Sequence, residues 1–548
     1  MTHVDYIISR SLSPPPHCLQ ENESNWSLSS PESTSMELPM DFILTCASLF
    51  LFYYWWRRYF QGGEAATRRR LPPGPPGWPL VGNLFQVLLQ RRHFIFIVGE
   101  LRKRYGPIFT MQMGQRTLVV ITSPDLIHEA LVQRGSTFAS RPADSPIRLL
   151  FSMDKCAVNS AVYGPLWRTL RRNFVTELIS PVRLKQCNWI REWAMDSHMA
   201  RLHEICSANG AVDVMATCRF TVCSILVCVC FGAKIPSQSI SDIDNVTKDV
   251  MLMTSPQLPD FLPLLTPLFR SQLKKAKELR TRQMNCLLPL IMERKKFVNG
   301  MTCKDGDGLE MVSPVGAAYV DSLFDLQVPG RGRLGEQELV TLCNEIFVAG
   351  VDTTTSVLQW VFFELVVNQD IQEKLYQEII HHVGVSGQIT EEQLEKMEYL
   401  SAVVKESLRL HSPAHFTLSH ATTEETELGG YSIPTNTYVE FYIEAMNKDP
   451  NLWKDPELYR PERFLNDGDG VGVDLTGTKG KIKMLPFGAG RRTCPGLSLG
   501  LLHINLMLAK MVQKFKWLPA ANSPPDPTAI FAFTVVMKNP LNAIIIAR

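Results

Sequence analysis

Residues 486–497 read PFGAGRRTCPGL and place one cysteine, Cys494, on a glycine-rich loop. Arg491 and Arg492 come just before this cysteine, and nearby cations lower the pKa of a thiol and favour the thiolate. The apolar run 497–515 predicts a helix whose first N–H groups point towards an anion at its amino end. The glycines that permit tight turns in the loop are Gly488, Gly490 and Gly496. The stretch therefore predicts a thiolate held by backbone amides, suited to bind a soft metal through one bond.

Cys494 has no second metal ligand close to it in the sequence. The chain has 13 cysteines but no C-x-x-C pair, and His503 is better explained as a residue of the following helix. A closed zinc site or an iron–sulfur cluster needs several ligands together, so both are disfavoured. Two functions remain for Cys494: the single axial thiolate of a haem iron, which we favour, or a catalytic nucleophile with a distant histidine.

The apolar segment 339–351 predicts a long helix that is buried on nearly all sides. The polar residues that argue against a membrane span here are Asn344, Glu345 and Asp352. Gly350 and the three threonines that begin at Thr353 lower the local helix propensity. This weakening indicates either a functional site or close packing of two helices through small residues.

Five short motifs occur along the chain in the order that is typical of the cytochrome P-450 family, which the chain therefore resembles. They are Trp167-Arg-x-x-Arg171, Ala349-Gly-x-Asp-Thr-Thr354, Glu406-x-x-Arg409, Pro461-Glu-Arg-Phe464 and Phe487-x-x-Gly-x-Arg-x-Cys-x-Gly496. The resemblance covers roughly residues 36–548. It implies a mainly α fold with small β-sheets, formed by a single large haem domain behind an amino-terminal membrane anchor.

The resemblance also implies a role for each motif in a haem-thiolate monooxygenase that contains haem b, iron protoporphyrin IX. Cys494 is the implied iron ligand, and Asp352 and Thr353 are the implied catalytic residues that relay protons and hydrogen-bond at the oxygen site. The implied cofactor-binding residues are Cys494, Arg492, Trp167, Arg171, Phe487, Gly488, Gly490, Gly496 and His420. The implied structural charge network, which is not catalytic, consists of Glu406, Arg409 and Arg463.

His420 is a departure from the family pattern. Many plant relatives have an arginine at this place, where it contacts a haem propionate. A histidine donates a hydrogen bond more weakly than an arginine, so a propionate contact from His420 is expected to be weaker and pH-dependent.

The composition is that of a globular protein, with 45% hydrophobic and 20% charged residues. A net charge of +2 gives no indication of a nucleic acid partner. Unpaired, irregularly spaced cysteines indicate reduced, mostly buried thiols. Helices are predicted at 94–105, 124–134, 183–204, 212–231 and 268–296, and β-structure at 108–122, 424–442 and 530–545.

The amino-terminal region divides into three predicted segments before the catalytic domain at 80–548. Residues 1–35 are polar and are interpreted as a disordered segment or as an extension caused by a wrong start codon. Residues 36–60 are apolar and aromatic with arginines behind them, which predicts a single-pass anchor in the endoplasmic reticulum with a cytosolic catalytic domain. Residues 61–79 are basic and rich in proline, which predicts a stiff hinge.

Three stretches resemble a plant subgroup that epoxidises or hydroxylates fatty acids: HFTLSH at 415–420, GTKGKIKM at 477–484 and FTVVMKNP at 533–540. The implied partners are an NADPH-cytochrome reductase, O2 and an apolar small-molecule substrate. Apolar walls suit a terpenoid or a phenolic compound equally well. An oxygen-independent hydroperoxide lyase or isomerase is less favoured, because such enzymes usually lack the distal threonine that Thr353 supplies here.

Overall fold

A computed structural model describes residues 45, 47–54, 71–90, 92–208, 210–300 and 309–548. The predicted extension at 1–35 lies outside these residues, as do much of the predicted anchor and the hinge residues before Leu71. Residues 47–54 are helical and their side chains are exposed. The boundaries of the amino-terminal segments therefore stay predictions.

The described chain is mainly helical. Its α-helices are α1 (Leu84–Leu89), α2 (Phe94–Tyr105), α3 (Pro124–His128), α4 (Pro146–Ser152), α5 (Pro165–Phe174), α6 (Pro181–Gln186), α7 (Asn188–Ser207), α8 (Val214–Phe231), α9 (Ser237–Met253), α10 (Leu258–Phe261), α11 (Arg270–Val298), α12 (Glu336–Val367), α13 (Gln369–Val383), α14 (Glu391–Leu394), α15 (Glu398–Leu410), α16 (Glu444–Asn447) and α17 (Leu497–Lys514). Shorter π or 3-10 turns are Glu129–Gln133, Val175–Ile179, Pro263–Phe269, Tyr319–Leu323, Pro461–Phe464 and Gly490–Arg492.

The β-structure is scattered in small sheets. Its strands are β1 (Ile108–Met113), β2 (Arg116–Ile121), β3 (Ala211–Asp213), β4 (Ala233–Lys234), β5 (Glu310–Met311), β6 (Gln327–Val328), β7 (Gly332–Arg333), β8 (His420–Ala421), β9 (Thr426–Leu428), β10 (Tyr431–Ile433), β11 (Tyr438–Phe441), β12 (Phe515–Pro519), β13 (Ala529–Phe531), β14 (Val535–Met537) and β15 (Asn542–Ala547). The largest sheet has four strands in the order β1-β2-β11-β8, and the next has three in the order β12-β15-β3. The predicted hairpin at 108–122 and the mainly α class are confirmed.

The prediction at 183–204 differs from the structure, because two helices occupy this region. Pro181 begins α6, where its missing N–H leaves no hydrogen bond unmade. Cys187, with φ −92° and ψ 6°, then leaves the helical conformation before α7 begins at Asn188. The apolar pattern continues across this break, so periodicity alone predicts one helix.

Helix α12 runs for 32 residues through the core and is buried along most of its length. Both α8 and α12 are long and apolar enough to cross a membrane, but 83% and 72% of their apolar windows are buried inside the protein. They are core helices, and they pack closely: a Cβ built on Gly350 would lie 2.6 Å from Cδ1 of Leu226. The glycine at position 350 therefore allows α8 and α12 to pack closely, which was one of the two explanations offered for this segment; the other was a functional site.

The proline-rich segment packs against the catalytic domain from residue 73 onwards. The Thr110 N–H donates to the Pro73 carbonyl at 2.8 Å, and Asn83 Nδ2 donates to the Pro76 carbonyl at 3.1 Å. A Cβ on Gly74 would lie 1.8 Å from the Thr110 carbonyl oxygen. This end of the predicted hinge is therefore fixed to the first sheet.

Candidate active site

A cavity of about 590 Å³ is lined by α12 and by the cysteine loop, which we define as residues 486–496. Ala349 and Thr353 of α12 line it, and so do Phe487 and Cys494 of the loop. The fold thus brings the predicted thiolate ligand and the predicted distal threonine to one cavity.

The backbone of the cysteine loop is fixed by its own turns. The Cys494 N–H donates to the Phe487 carbonyl at 2.8 Å, which closes the loop on itself. Gly488 and Gly490 both have φ of +67°, in the left-handed region that glycine adopts without strain. A Cβ on Gly490 would lie 1.8 Å from the Leu131 carbonyl oxygen. Gly490 therefore allows the loop to approach the backbone after α3.

Burial raises the pKa of the Cys494 thiol, and a hydrogen bond from the Gly496 N–H and the charge of Arg171 lower it. The sequence suggested Arg491 and Arg492 for this electrostatic role. The guanidinium of Arg491 lies instead over the Tyr163 ring, at 5.7 Å from its centroid. The cation that lowers the pKa of Cys494 is therefore Arg171, which lies on α5 and is distant from Cys494 in sequence.

Arg492 and Trp167 form the basic side of the cavity. Arg492 donates from Nε to the Ala139 carbonyl at 2.7 Å and from Nη1 to the Val158 carbonyl at 3.0 Å. Its guanidinium lies 4.6 Å from the Trp167 ring centroid, and burial lowers its pKa to about 9. Among the described residues, the buried Trp167 Nε1 has no hydrogen-bond partner. An indole N–H of this kind indicates that an acceptor from outside the chain binds here.

Two further arginines face the same cavity. Arg171 Nη2 donates to the Thr493 carbonyl at 2.6 Å, which ties α5 to the cysteine loop. Arg141, which the sequence motifs missed, donates to the carbonyls of Asn159 and Ser419 at 2.7 Å each. Burial lowers the pKa of Arg141 to about 10. The only local signal is an arginine in the otherwise uncharged stretch 135–143.

His420 lines the cavity, but its hydrogen bonding differs from the sequence expectation. Nδ1 lies 2.6 Å from the Phe138 carbonyl, which can only accept, so Nδ1 carries the proton. Burial, together with Arg141 and Arg492, holds the pKa of His420 well below its usual value. In this neutral tautomer Nε2 is an acceptor, so His420 does not serve as a donor to a carboxylate.

The predicted catalytic pair on α12 divides between two environments. Thr353 lines the cavity, and its Oγ1 donates to the Ala349 carbonyl at 2.7 Å. The Asp352 carboxylate is paired with Arg219 of α8 and is not part of the cavity lining. Arg219 also pairs with Asp244 of α9, at 2.8 Å, and Asp244 pairs with the half-exposed Lys248 at 2.7 Å. Asp352 is thus the inner end of a charge chain that leads to the surface.

Glu345, which the sequence analysis used as an argument against a membrane span, also lines the cavity. Its Oε2 accepts the Val158 N–H at 2.9 Å and its Oε1 accepts the Asn159 N–H at 2.6 Å. Burial raises the pKa of Glu345 to about 7, although these two hydrogen bonds, Arg492 and Arg171 act to lower it. Its spacing on α12, four and eight residues before Ala349 and Thr353, was the available signal.

The predicted structural network is fully buried. Arg409 Nε and Arg463 Nε each lie 2.8 Å from the Glu406 carboxylate, and all three side chains have 0% exposure. The other N–H groups of the two guanidiniums donate mainly to backbone carbonyls. Arg409 Nη1 donates to that of Asn447 and Arg463 Nη1 to that of Lys454. The network joins α15 to the segment before the cysteine loop.

Comparison with known proteins identifies the family. The family described as Cytochrome P450 matches residues 72–546. Cytochrome P450 89A9 of Arabidopsis thaliana is 35% identical over 497 residues, which is 87% of this chain and 94% of that protein. Tryptamine 5-hydroxylase of Oryza sativa subsp. japonica is 33% identical and carnosic acid synthase of Salvia fruticosa 30% identical, each over 82% of this chain and over 85% and 87% of the relative.

A solved structure has the same fold. A zebra fish cytochrome P450 with progesterone superposes with a TM-score of 0.67, at 24% identity, over 83% of this chain and 99% of that one. The chain belongs to the cytochrome P450 family. It is an oxidoreductase of the monooxygenase class, with a haem cofactor, and it uses O2, a redox partner and a small-molecule substrate.

The residues around the cavity fit haem. A soft thiol on the loop suits iron, and the unpartnered Trp167 N–H suits a propionate oxygen. Three of the four arginines that line the cavity, Arg141, Arg171 and Arg492, supply the positive charge that two propionates require. Gly488 also lines the cavity, and a Cβ built on it would meet no atom within 4 Å, so this part of the wall is open.

Proposed function

We propose that this protein is a membrane-bound monooxygenase that accepts electrons from an NADPH-cytochrome reductase and inserts one oxygen atom of O2 into an apolar plant metabolite. The observation that carries the proposal is that Cys494 and Thr353 line one cavity whose other walls are largely apolar. Bound haem supplies the activation of O2. The roles of the surrounding side chains follow from their positions.

On the cofactor side, the Cys494 thiolate is the iron ligand, and the Gly496 N–H donates to its sulfur. Arg492, Arg171 and the Trp167 indole would hold the propionates. Arg492 must exchange its carbonyl partners for a carboxylate, which is the stronger acceptor because it is charged. His420, in the tautomer described above, lines the wall without donating to a propionate.

On the distal side, Thr353 Oγ1 holds a proton donor at the oxygen site. Its own proton is engaged with the Ala349 carbonyl, so its oxygen accepts from water and keeps that water in place. Asp352 would pass a proton to that water when its carboxyl turns from Arg219 to the cavity. Arg219, which Asp244 holds from its other side, orients the carboxylate and does not itself carry the proton, because a guanidinium does not release one.

We further propose that an apolar surface patch rests on the endoplasmic reticulum membrane beside the amino-terminal anchor. Its exposed side chains are Phe85, Leu89, Phe96, Leu264 and Leu268. Phe85, Leu89 and Phe96 belong to α1 and α2, and Leu264 and Leu268 belong to the turn Pro263–Phe269. The residues just before this turn pack on the same hydrophobic cluster as the buried side chains of α1 and α2. Large exposed apolar groups of this kind mark a membrane or protein contact.

The relatives, as well as the sequence, bear on the substrate class. The sequence stretches favour a fatty acid, whereas the relatives named above carry names that refer to tryptamine hydroxylation and carnosic acid synthesis. A further relative is a trans-cinnamate 4-monooxygenase of Vigna radiata var. radiata, at 30% identity. We therefore propose a terpenoid, phenolic or amine metabolite ahead of a fatty acid.

The test is to produce the full chain with a plant NADPH-cytochrome reductase and to offer linoleate, cinnamate, tryptamine and a diterpene with NADPH. The expected result is an oxygenated product that requires the reductase, with oxygen from O2 as shown by isotope labelling. A Cys494→Ser variant serves as the control and should give none. Turnover of a hydroperoxide without reductase would contradict the proposal and favour the lyase or isomerase class.

A further inference from the structure

Glu345 is an acidic side chain on the cavity wall that α12 forms. It shares one face of α12 with Ala349 and Thr353, because residues four and eight apart lie above one another on a helix. At 1.5 Å per residue, its Cα is about 12 Å along the helix from that of Thr353. A substrate oxidised beside Thr353 therefore reaches the level of Glu345 if it extends about 12 Å along the helix.

The carboxylate is held in a fixed orientation but is not neutralised. Each of its oxygens accepts one backbone N–H, from Val158 and Asn159, and a carboxylate oxygen has a further acceptor site. Within the described ranges, no lysine, arginine or histidine forms an ion pair with it at 4.0 Å or less. Arg171 and Arg492 act on it only at longer range, and bound haem propionates would compete for both arginines.

We infer that Glu345 is a specificity-determining residue that accepts a hydrogen bond from a hydroxyl or ammonium group of the substrate and disfavours a substrate with a free carboxylate at that end. A hydrogen bond to a carboxylate in a water-poor cavity belongs to the strong class. Two carboxylates placed together in the same cavity repel each other. The inference rests on the proposed function, and it opposes the fatty-acid version of that function.

The experiment measures binding rather than turnover. Purified full-length haem protein is titrated with matched pairs that differ only at one end, dodecan-1-ol against dodecanoate and 3-phenylpropan-1-ol against 3-phenylpropanoate, and the shift of the Soret band gives Kd. The readout is the ratio of the two Kd values within a pair. A purely structural role for Glu345 changes both affinities together and leaves this ratio unchanged.

We expect the wild type to bind the alcohol at least about tenfold more tightly than the carboxylate at pH 8, a difference of about 1.4 kcal/mol. Glu345→Gln should bring the ratio within about threefold of one. Glu345→Asp, which keeps the charge, should retain the preference even if loop packing is weakened.

The matched control is Glu440→Gln. Glu440 is also buried, with a pKa that burial raises to about 7, but it bonds to Ser419 and does not line the cavity. It should leave the ratio as in the wild type. A wild type that binds none of the alcohols, or binds the carboxylate as tightly, would refute the inference. Failure of the proposed function is seen separately, as loss of the thiolate-type carbon monoxide band or of reductase-dependent turnover.

Discussion

Removal of Glu406 should destabilise the protein more than removal of any exposed acidic residue. Its carboxylate accepts bonds from Arg409 Nε at 2.8 Å and Nη2 at 2.9 Å, from Arg463 Nε at 2.8 Å and from the Arg460 N–H at 2.9 Å. Glu406→Ala leaves Arg409 buried without an anion and leaves Arg463 with only the carboxylate of Asp469, at 3.2 Å, in a place where the side chains of Glu406, Arg409 and Arg463 have 0% exposure.

The size of the effect follows from this burial. Removing one partner of a buried ion pair lowers the free energy of unfolding by about 3–5 kcal/mol. At about 2.1 cal/mol/K per residue, a domain of about 470 residues has an unfolding entropy of about 1 kcal/mol/K. The expected decrease in Tm is therefore about 3–5 °C, since Tm shifts by the lost free energy divided by that entropy.

The assay is thermal unfolding followed by circular dichroism, at one heating rate and one protein concentration. The control is Asp325→Asn, which breaks the exposed pair of Asp325 with Arg333 and should lower the free energy of unfolding by less than about 1 kcal/mol. A Glu406→Ala protein that unfolds within 1 °C of this control would refute the view that the network stabilises the fold, since the predicted shift is about 3–5 °C.

Four further outcomes are expected. Cys494→Ser should abolish the thiolate-type band in the carbon monoxide difference spectrum, and a surviving band would overturn the ligand assignment. Thr353→Ala should consume NADPH with less product formed, whereas unchanged coupling would argue against its role at the oxygen site. Gly490→Ala should reduce haem incorporation, because Gly490 has a φ of +67° and a Cβ on it would lie 1.8 Å from a backbone carbonyl oxygen. The control Gly99→Ala on α2, where a Cβ would meet no atom within 4 Å, should behave as the wild type. The preference for alcohol over carboxylate should increase from pH 6 to pH 8, because Glu345, with a pKa raised to about 7, is mostly neutral at pH 6 and mostly ionised at pH 8. The ionisable groups whose charges couple to this carboxyl are Arg141, Arg171, Arg492, Cys156 and Tyr319. Equal Kd ratios at the two pH values would count against this titration.

The sequence by itself determined the features that depend on neighbours along the chain. The glycines and the isolated cysteine of the loop at 486–496 predicted a single-thiolate ligand, and the loop has the turns that they indicated. The apolar pattern of 339–351 predicted the buried helix α12. The spacing of Trp167 and Arg171 placed both on one face of α5, and both line the cavity. Local spacing fixes such relations because helix geometry is regular.

Only the tertiary structure decided which charges meet. Arg171, rather than the adjacent arginines, acts on Cys494, because α5 packs against the cysteine loop. Asp352 pairs with Arg219 because α8 crosses α12 at Gly350. The pKa of Glu345 depends on burial among segments that are far apart in sequence. Burial and pairing with residues distant in sequence determine the pKa of an ionisable group and its interaction energy with other charges. Neither can be predicted from the residues next to that group in the sequence.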